Sequence, residues 1–339
     1  MPEGMRRKSV ALLAVLVAVL ALVTACSGPP RPSGKDGTSG AAAQETTGAP
    51  GGGAAAEAAR TSYPLTVQDD AGRTVTIRSR PERILSLAPS NTEILFAVGA
   101  GDRVVGRTDY CDYPPEAQKV PSVGGIVDPN VEKMVSLKPD VVFMIGGSEP
   151  LRQKLEGDLG MTAVVLDPKT LDEVYAKIRL VGRIVDKTAE AEQVVARMQE
   201  RVAAIEARVR DIPPSERPTV FYEVWPDPLM TAGPGSFIDD LIRRAGGVNV
   251  AADAGQPWAQ YSLEAVIKHD PAVILTPSAE SGKALKDRAR PGWEKIRAVR
   301  EGRVYVLPDQ NVVSRPGPRL VDGLEQIARL LHPDRFPQG

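Results

Sequence analysis

The chain has 339 residues, which is enough for two domains of ordinary size. It carries 42 basic and 43 acidic side chains, a formal net charge of −1. Because there is no basic excess to attract a phosphate backbone, nucleic acid is excluded as an expected partner. The two cysteines, Cys26 and Cys111, do not have the spacing of a disulfide framework.

The N-terminal segment has the pattern of an export signal. Arg6–Lys8 are basic, and Val10–Val23 is an uncharged apolar run. As a helix this run spans roughly 21 Å, which is short of the ~30 Å hydrocarbon core of a bilayer. The segment therefore predicts a signal peptide over residues 1–25 rather than a membrane span.

Cys26 follows the small residue Ala25 in LVTACSG, a sequence that resembles the bacterial lipobox. The resemblance implies that Cys26 is lipidated and becomes the first residue of a mature lipoprotein, anchored to the outer side of the cytoplasmic membrane. A plain secretory signal with a chance cysteine is the alternative. Residues 26–62 are rich in small and polar residues without apolar periodicity, which predicts a flexible tether with an average reach of about 30 Å.

Residues 63–187 predict a lobe in which strands alternate with helices. A hairpin is expected around DDAGR, followed by a buried strand at Arg83–Leu87 and a helix that is capped by Ser90 or Asn91 and stopped by Gly99. Further strands are predicted at 104–106, 141–145 and 163–167, and further helices at 131–137 and 149–160. This alternation favours a parallel sheet with covered faces.

One long amphipathic helix separates this lobe from a second one. Apolar residues recur at three- and four-residue steps within residues 188–212, which predicts a helix of about twenty residues, roughly 30 Å long. Its apolar stripe consists of Val194, Val195, Met198, Val202, Ile205 and Val209. Residues 213–339 repeat the alternation of the first lobe. The expected fold class is therefore α/β: two Rossmann-like lobes, each with a mostly parallel sheet, are joined by one long α-helix and enclose a ligand cleft.

The two halves share a short segment that places an acid at the same point. Glu132 and Glu264 each lie in the first turn of a predicted helix, and each is followed seven residues later by a proline, Pro139 or Pro271. An acid in a first turn stabilises the helix dipole, which would explain either residue alone. The repetition favours a function that needs one acid on each lobe.

Several stretches resemble the solute-binding proteins of ABC importers for vitamin B12 and ferric siderophores, the class built on a single helical backbone. They are PERILSLAPSNTEILFAVGAGDRVVGRTDYCDYPPEAQKVPSVGG, PNVEKMVSLKPDVV, PWAQYSLEAVIKHDPAVIL and SRPGPRLVDGLEQIARL. The resemblance covers nearly everything from Tyr63 onward and is nearest to the vitamin B12-binding branch. It implies a monomer that is not an enzyme and has no cofactor of its own. Such a protein captures cobalamin or a related corrinoid outside the membrane and delivers it to the permease and ATPase subunits.

The resemblance also assigns residues. In that family a glutamate on each lobe meets arginines of the membrane subunits, and the matching residues here are Glu132 and Glu264. Carboxylate–guanidinium pairs are directional, so two of them would fix the orientation of a two-lobed carrier. The positions that contact the ligand match Tyr110, Trp258 and Arg315.

Three further residues are expected at the cleft. Trp225 lies just past a predicted strand, where a cleft would open. Ile126 and Met230 are apolar at positions where the vitamin B12-binding branch has aromatic residues, and Ile145 and Val224 are similar departures. Packing in a core is the alternative role for the aromatic side chains.

Other ligands and another class of protein stay open. A ferric siderophore would favour more positive charge in the cleft, which Arg107, Arg315 and Arg319 could supply. Haem or another tetrapyrrole is a third ligand. A structural or adhesive surface lipoprotein is the alternative outside the transport class.

Resident metal sites and hydrolase chemistry are not expected. Direct zinc or manganese binding needs several converging histidines and carboxylates, but the chain has only His269 and His332. Cys111, beside Tyr110, is expected to be a small apolar filler rather than a metal ligand. The sequence GPGSF lacks the nucleophile-elbow pattern, and the absence of a P-loop sequence assigns ATP hydrolysis to partner subunits.

Overall fold

The computed structural model describes residues 60–337, which lie within the compact unit Gly51–Gly339. The predicted signal peptide, Cys26 and the predicted tether up to residue 59 lie outside the described residues. Among residues 60–337 no helix has the length and apolar character needed to cross a membrane.

The first lobe begins with a hairpin, as the sequence predicted. Strands β1 (Leu65–Gln68) and β2 (Thr74–Ile77) pair antiparallel, with Leu65 opposite Ile77. The buried carboxylate of Asp69 holds the turn, because its Oδ1 accepts hydrogen bonds from the backbone N–H groups of Ala71 and Arg73, both at 3.1 Å.

The core of this lobe is a parallel sheet of four strands in the order β4-β3-β5-β6. These strands are β3 (Ile84–Ser86), β4 (Val104–Arg107), β5 (Val141–Met144) and β6 (Ala163–Val165). The helices are α1 (Pro89–Ala97), α2 (Val131–Ser136), α3 (Glu149–Gln153), continued by a π-helical turn, and α4 (Leu171–Ile184). Every residue of β5 is buried, which explains its unbroken apolar sequence.

Helix α1 does not begin where the sequence predicted. Its N-cap is Ala88 and Pro89 occupies the first turn, so the expected cap by Ser90 or Asn91 is wrong. Proline suits this position because its missing N–H has no intrahelical partner there and its φ is already helical. Asn91 instead crosses to the sheet and donates from Nδ2 to the carbonyl of Met144 at 3.1 Å. The predicted stop is confirmed, since Gly99 has a φ of 74°.

The second lobe contains a mixed sheet in the order β10-β8-β7-β11-β12, with β9 paired to the start of β7. Strands β9, β7, β11 and β12 run parallel, whereas β8 pairs antiparallel with both of its neighbours, β7 and β10. The strands are β7 (Thr219–Pro226), β8 (Leu229–Ala232), β9 (Val248–Asn249), β10 (Trp258–Gln260), β11 (Val273–Thr276) and β12 (Val304–Val306). The helices are α6 (Phe237–Arg244), α7 (Leu263–His269), α8 (Ala279–Lys286), α9 (Arg297–Arg300), α10 (Asn311–Ser314) and α11 (Leu320–Leu331).

The connecting helix α5 (Thr188–Val209) has 22 residues. Its buried residues are Ala191 and the predicted stripe, namely Val194, Val195, Met198, Val202, Ile205 and Val209. Ion pairs join this helix to both lobes, and Glu192 contacts Arg179 of α4 in the first lobe at 2.9 Å. Arg244 of α6 contacts Glu206 of α5 at 2.9 Å and Asp172 of α4 at 2.6 Å. Arg201 of α5 contacts Asp322 of α11 at 2.7 Å. Apolar packing and these pairs hold both lobes against one helix.

Candidate ligand-binding cleft

A cavity of about 370 Å³ lies between the two lobes. On the first lobe its wall comes from residues that directly follow strands: Ala88–Ser90 after β3, Tyr110 after β4, Ile145 and Gly146 after β5, and Leu166 and Asp167 after β6. The carboxyl ends of parallel strands meet at one edge of a sheet, which is where α/β proteins bind ligands. The first lobe therefore presents its sheet edge to the cleft.

The second lobe supplies the facing wall. Phe237 begins α6, whose N-cap Ser236 accepts a hydrogen bond from the backbone N–H of Asp239 at 3.1 Å. Asn311 and Ser314 belong to α10, and Arg315 follows it. Phe237 contributes an apolar phenyl ring, and Asn311, Ser314 and Arg315 contribute three polar groups. Apolar walls with a few polar groups are usual for a small-molecule site.

Three of the six predicted ligand residues line this cavity: Tyr110, Ile126 and Arg315. The side chain of Tyr110 is 60% exposed, so the structure assigns it no place in a core. Ile126 lies in a loop whose ends are joined by a 2.6 Å hydrogen bond from the N–H of Asn130 to the carbonyl of Val123.

Trp258 adjoins this wall through its contact with Phe237. Its ring packs edge-on against Phe237, with 5.3 Å between ring centroids and 65° between planes, and it remains 41% exposed. The structure thus puts Trp258 beside the cavity lining but not in it. Edge-to-face packing leaves one face of the indole available to a flat ligand.

Trp225 and Met230 are not part of the cavity lining. They are register partners on β7 and β8, and Met230 is opposite Gln260 on β10, the strand that begins with Trp258. Directly paired residues of antiparallel strands share a sheet face. Trp225, which is 60% exposed, and Met230 therefore extend the same surface away from the cavity. We name Trp225, Met230 and Trp258 the indole surface.

Most of the lining residues were not predicted from the sequence, and four of these are Phe237, Asn311, Leu166 and Asp167. A signal existed for two of them. Leu166 and Asp167 end the predicted strand AVVLD, and the rule that ligands bind at strand carboxyl ends would have selected them. Phe237 and Asn311 reach the cleft only through the packing of the second lobe against the first.

The cleft extends over the first lobe beyond the central cavity. A second space of about 340 Å³ and a third of about 200 Å³ both share Ile145 and Gly146 with it. The second is lined by Ile126 and by Val127, an almost fully exposed residue. A ligand larger than the central cavity would find continuous space here.

The arginines that were expected to supply free positive charge are engaged with protein groups. Arg107 donates to the backbone carbonyls of Ala117 at 2.9 Å and Thr108 at 2.8 Å. It supports a loop rather than the cleft.

The other two arginines form ion pairs across the lobe interface. Arg319 donates to both carboxylate oxygens of Glu93, at 2.9 and 2.6 Å. Arg315 lies 2.5 Å from Asp112 and 3.6 Å from Glu93. The hydrogen bond from Arg315 lowers the pKa of Asp112 below its usual value. The second lobe brings both cations, and the first lobe brings both acids.

Cys111 is fully buried and its Sγ lies 3.2 Å from Oγ1 of Thr108, as a packed filler would. No group of three or more histidine, cysteine, aspartate or glutamate side chains converges within residues 60–337 in a way that could hold a metal ion. His269 is hydrogen bonded to Asp253 at 3.1 Å, and His332 is buried at the end of α11.

The two predicted docking acids occupy equivalent places. Glu132 and Glu264 are each the second residue of a short helix, α2 and α7, and both are exposed. The N-cap side chains of Asn130 and Ser262 accept from the backbone N–H three residues ahead, at 2.9 and 3.1 Å. Neither glutamate side chain has a hydrogen-bond or ion-pair partner in the part of the chain that the structure describes.

The equivalence continues through each helix into the sheet. Two residues after each glutamate comes the buried anchor of the helix, Met134 or Val266. The residues before the two prolines, Lys138 and Asp270, both have left-handed backbones, with φ of 45° and 42°. A strand follows at once, β5 or β11, each interior in its sheet. The two glutamates therefore occupy equivalent places relative to their helices and to the strands that follow.

Two α/β lobes on one connecting helix, with a cleft at facing sheet edges, define a solute-binding protein of the helical-backbone class. Residues 84–311 match the family described as periplasmic binding protein, and the chain belongs to this family. It is an extracytoplasmic substrate-binding protein of the ABC transporter class, whose members bind a small molecule and work with permease and ATPase subunits.

Three comparisons illustrate the relationship. The chain is 37% identical, over 81% of its length and 88% of the relative, to the uncharacterized ABC transporter substrate-binding lipoprotein YvrC of Bacillus subtilis. It resembles the crystal structure of the periplasmic vitamin B12 binding protein BtuF of Vibrio cholerae, with a TM-score of 0.66, 30% identity, and coverage of 76% and 99%. It resembles the periplasmic heme-binding protein RhuT of Roseiflexus sp. RS-1, with a TM-score of 0.65, 30% identity, and coverage of 75% and 99%.

Proposed function

We propose that this protein captures cobalamin or a related corrinoid in its interlobe cleft and delivers it to an ABC permease. The observation that carries the proposal is the wide, largely apolar cleft, in which Tyr110, Ile126 and Phe237 face the cavity. Beside it, the indole surface offers two exposed indole rings. A corrin is a large, flat, mostly apolar macrocycle, and aromatic and aliphatic faces are the surfaces that such a ring requires.

The size of the ligand also fits a cleft with several adjoining spaces. A complete cobalamin is larger than the central 370 Å³, so part of it would occupy the adjoining spaces over the first lobe or lie against the indole surface. The part of the ligand inside the cavity would contact Tyr110, Ile126 and Arg315. The part that projects from the cavity would contact the indole surface of Trp258, Trp225 and Met230.

The second candidate is another flat tetrapyrrole, haem. It is favoured by the same apolar walls and by the likeness to a structure described as heme-binding. A ferric siderophore is the third candidate, but the arginines it would use are already paired with Glu93 and Asp112.

Equilibrium titration of the purified protein separates these candidates. We expect saturable binding of cyanocobalamin by isothermal calorimetry with a Kd below about 1 μM, which corresponds to roughly −8 kcal/mol. Haem and a ferric tris-hydroxamate are titrated in parallel. Absence of heat at tens of micromolar cyanocobalamin, together with binding of haem or the ferric chelate, would reassign the ligand. Absence of binding for all three would favour a structural or adhesive role.

We further propose that Glu132 and Glu264 dock the loaded protein on the permease. Their exposure, their lack of partners among residues 60–337 and their equivalent positions support this role. Two separated carboxylates would meet one guanidinium on each half of a two-fold transporter, and charge-assisted pairs would fix the orientation.

The membrane anchor is a separate proposal that rests on Cys26. A diacylated cysteine holds a protein at a bilayer far more firmly than one acyl chain does. We expect the wild-type protein to sediment with membranes and Cys26→Ala to appear in the soluble extracytoplasmic fraction. Cys111→Ala is the control, because Cys111 is buried. Equal membrane association of Cys26→Ala and wild type would rule out the anchor.

A further inference from the structure

Glu93 is the most enclosed charge near the cleft. It lies in α1 of the first lobe with a side chain that is 2% exposed, and both of its oxygens accept from Arg319 of the second lobe. The guanidinium of Arg319 also lies 3.8 Å from the centre of the Tyr113 ring. With a carboxylate on its edge and an aromatic ring on its face, Arg319 is fully occupied and offers no charge to a ligand.

Among residues 60–337, Arg315 is the one cation in the lining of the central cavity, and two acids share it. Its Nη1 lies 2.5 Å from Oδ1 of Asp112 and 3.6 Å from Oε1 of Glu93. Its side chain is only 12% exposed, so it is held in place by these acids rather than free to extend toward solvent.

The other charged lining residue is an acid. Asp167 lines the cleft and pairs with Lys169 at 2.6 Å, but Lys169 is not part of the lining and its side chain is 44% exposed. Within the described residues, the cavity wall therefore presents a paired arginine and a weakly paired aspartate. This wall has no free positive charge.

We propose that Asp112 and Glu93 determine the charge class of the ligand, so that the cleft accepts a neutral or cationic chelate and rejects an anionic one. This inference rests on the proposed function, since it concerns the same cleft. An anionic chelate that used Arg315 would have to displace Asp112 or bind beside it. Either way it would meet like charge in a partly desolvated site, where charge interactions exceed those in water.

The physical consequence is a specificity that follows charge rather than the identity of the metal. A neutral corrinoid can hydrogen bond to Arg315 without breaking its pair with Asp112. A ferric tris-hydroxamate with a cationic tail would meet Asp167 favourably. A ferric tris-catecholate carries three negative charges and would be repelled, even though it matches the others in size.

The test uses full-length protein and three probes: neutral cyanocobalamin, a cationic ferric tris-hydroxamate and an anionic ferric tris-catecholate. We expect wild type to bind the tris-catecholate at least about tenfold more weakly than the better of the other two. Asp112→Asn should strengthen binding of the tris-catecholate by about tenfold, because Arg315 loses its nearest acid. The gain for the tris-catecholate should exceed any change in cyanocobalamin affinity by at least about threefold, because only the anionic probe is repelled by Asp112.

Glu116→Gln is the matched control, because Glu116 is an exposed acid four residues away that does not line this cavity. An equal gain for Glu116→Gln and Asp112→Asn would show a general charge effect and overturn the assignment. Tightest binding of the tris-catecholate by wild type would overturn it as well. If the tris-hydroxamate binds and cyanocobalamin does not, the corrinoid proposal fails while the charge rule stands.

Salt provides a second measurement on wild type, independent of how the variants fold. If repulsion excludes the anionic probe, its affinity should rise as ionic strength increases from about 0.05 to 0.5 M, because added salt screens like charges. A decrease with salt would show that the cleft attracts anions and would contradict the proposal.

Discussion

Ile126 and Trp258 occupy the same position in the two lobes. Each lies four residues before the N-cap of a short helix and six residues before an exposed glutamate, Glu132 or Glu264. Ile126 lines the cavity, and Trp258 packs on Phe237, which also lines it. The repeat thus links one cleft residue and one docking acid on each lobe, but the cleft residue is aliphatic on one side and aromatic on the other.

This asymmetry predicts the effects of one substitution at each position on ligand affinity. Trp258→Ala should weaken cyanocobalamin binding by about three- to tenfold, as expected for loss of one stacking ring worth roughly 0.5–1.5 kcal/mol. Ile126→Trp should strengthen it, because the substitution adds an aromatic ring to the cavity lining. Calorimetric titration measures both, with Val248→Ala as the control for loss of an exposed apolar side chain. Unchanged affinity in Trp258→Ala would remove it from the ligand site.

The docking acids should affect transport without affecting ligand binding. In proteoliposomes that contain the cognate importer, Glu132→Arg combined with Glu264→Arg should reduce ligand uptake by more than about tenfold, because like charges would face the permease. Ligand affinity of the isolated protein should stay within about twofold of wild type, because neither glutamate lines the cavity.

Glu280→Arg separates docking from helix stability. Glu280 is also the second residue of a helix capped by a serine, and it is exposed. Reversing such an acid costs about 0.3–1 kcal/mol of helix-dipole stabilisation in any of the three helices. Uptake should therefore be normal in Glu280→Arg. If the double docking variant also transports normally, the two acids have no docking role.

The pair of Glu93 and Arg319 should contribute to the stability of the interface between the lobes. Glu93→Gln removes the nearest acid of the largely buried Arg319 and leaves it only the longer 3.3 Å contact with the partly exposed Asp309. Breaking comparable buried pairs costs about 3–5 kcal/mol. Urea unfolding measures the loss. Glu82→Gln is the control, because the Arg80–Glu82 pair is half exposed and such pairs contribute about 0–1 kcal/mol. Equal effects of the two substitutions would mean that the interlobe pair is energetically a surface pair.

His332 should make stability depend on pH. It is buried at the end of α11, and its Nε2 has no hydrogen-bond partner in the described part of the chain. Burial lowers its pKa below the usual value of 6.5. The folded state therefore favours the neutral ring. Its stabilising contribution is complete above the unfolded-state pKa of about 6.5 and is lost as pH falls through the lower folded-state value.

The free energy of unfolding, measured in urea at pH 8 and pH 5, tests this dependence. Wild type should lose more stability between the two pH values than His332→Gln does. His269→Gln is the control, since His269 is partly exposed and already hydrogen bonded to Asp253. An identical pH dependence in wild type and His332→Gln would contradict the assignment to His332.

Local patterns in the sequence were sufficient to predict the connecting helix and the two helices that carry the exposed glutamates. The buried stripe of α5 follows from three- and four-residue spacing alone, and the two glutamate-bearing helices follow from their caps and prolines. The start of α1 did not follow, because Ser90 and Asn91 are good caps in isolation and only the sheet reveals that Asn91 bonds to Met144.

The charge of the cleft could not be predicted from the sequence. Glu93 and Arg319 are 226 positions apart, and Asp112 and Arg315 are 203 apart, so nothing local indicates that they pair. The partners of Arg107 are local, but they are backbone carbonyls, which no pattern of residue types in the sequence indicates. Trp225 and Trp258 lie near the ends of strands and are exposed, a property that depends on no distant ion pair; their contact with a ligand stays a prediction.

The presence of Glu132 and Glu264 on different lobes has a geometric consequence. The distance between the two carboxylates changes whenever the lobes separate or approach each other. A receiving surface with two fixed contact points would accept one span only. A change in lobe spacing upon loading would therefore be measurable from outside the cleft, without any contact between the receiver and the cargo.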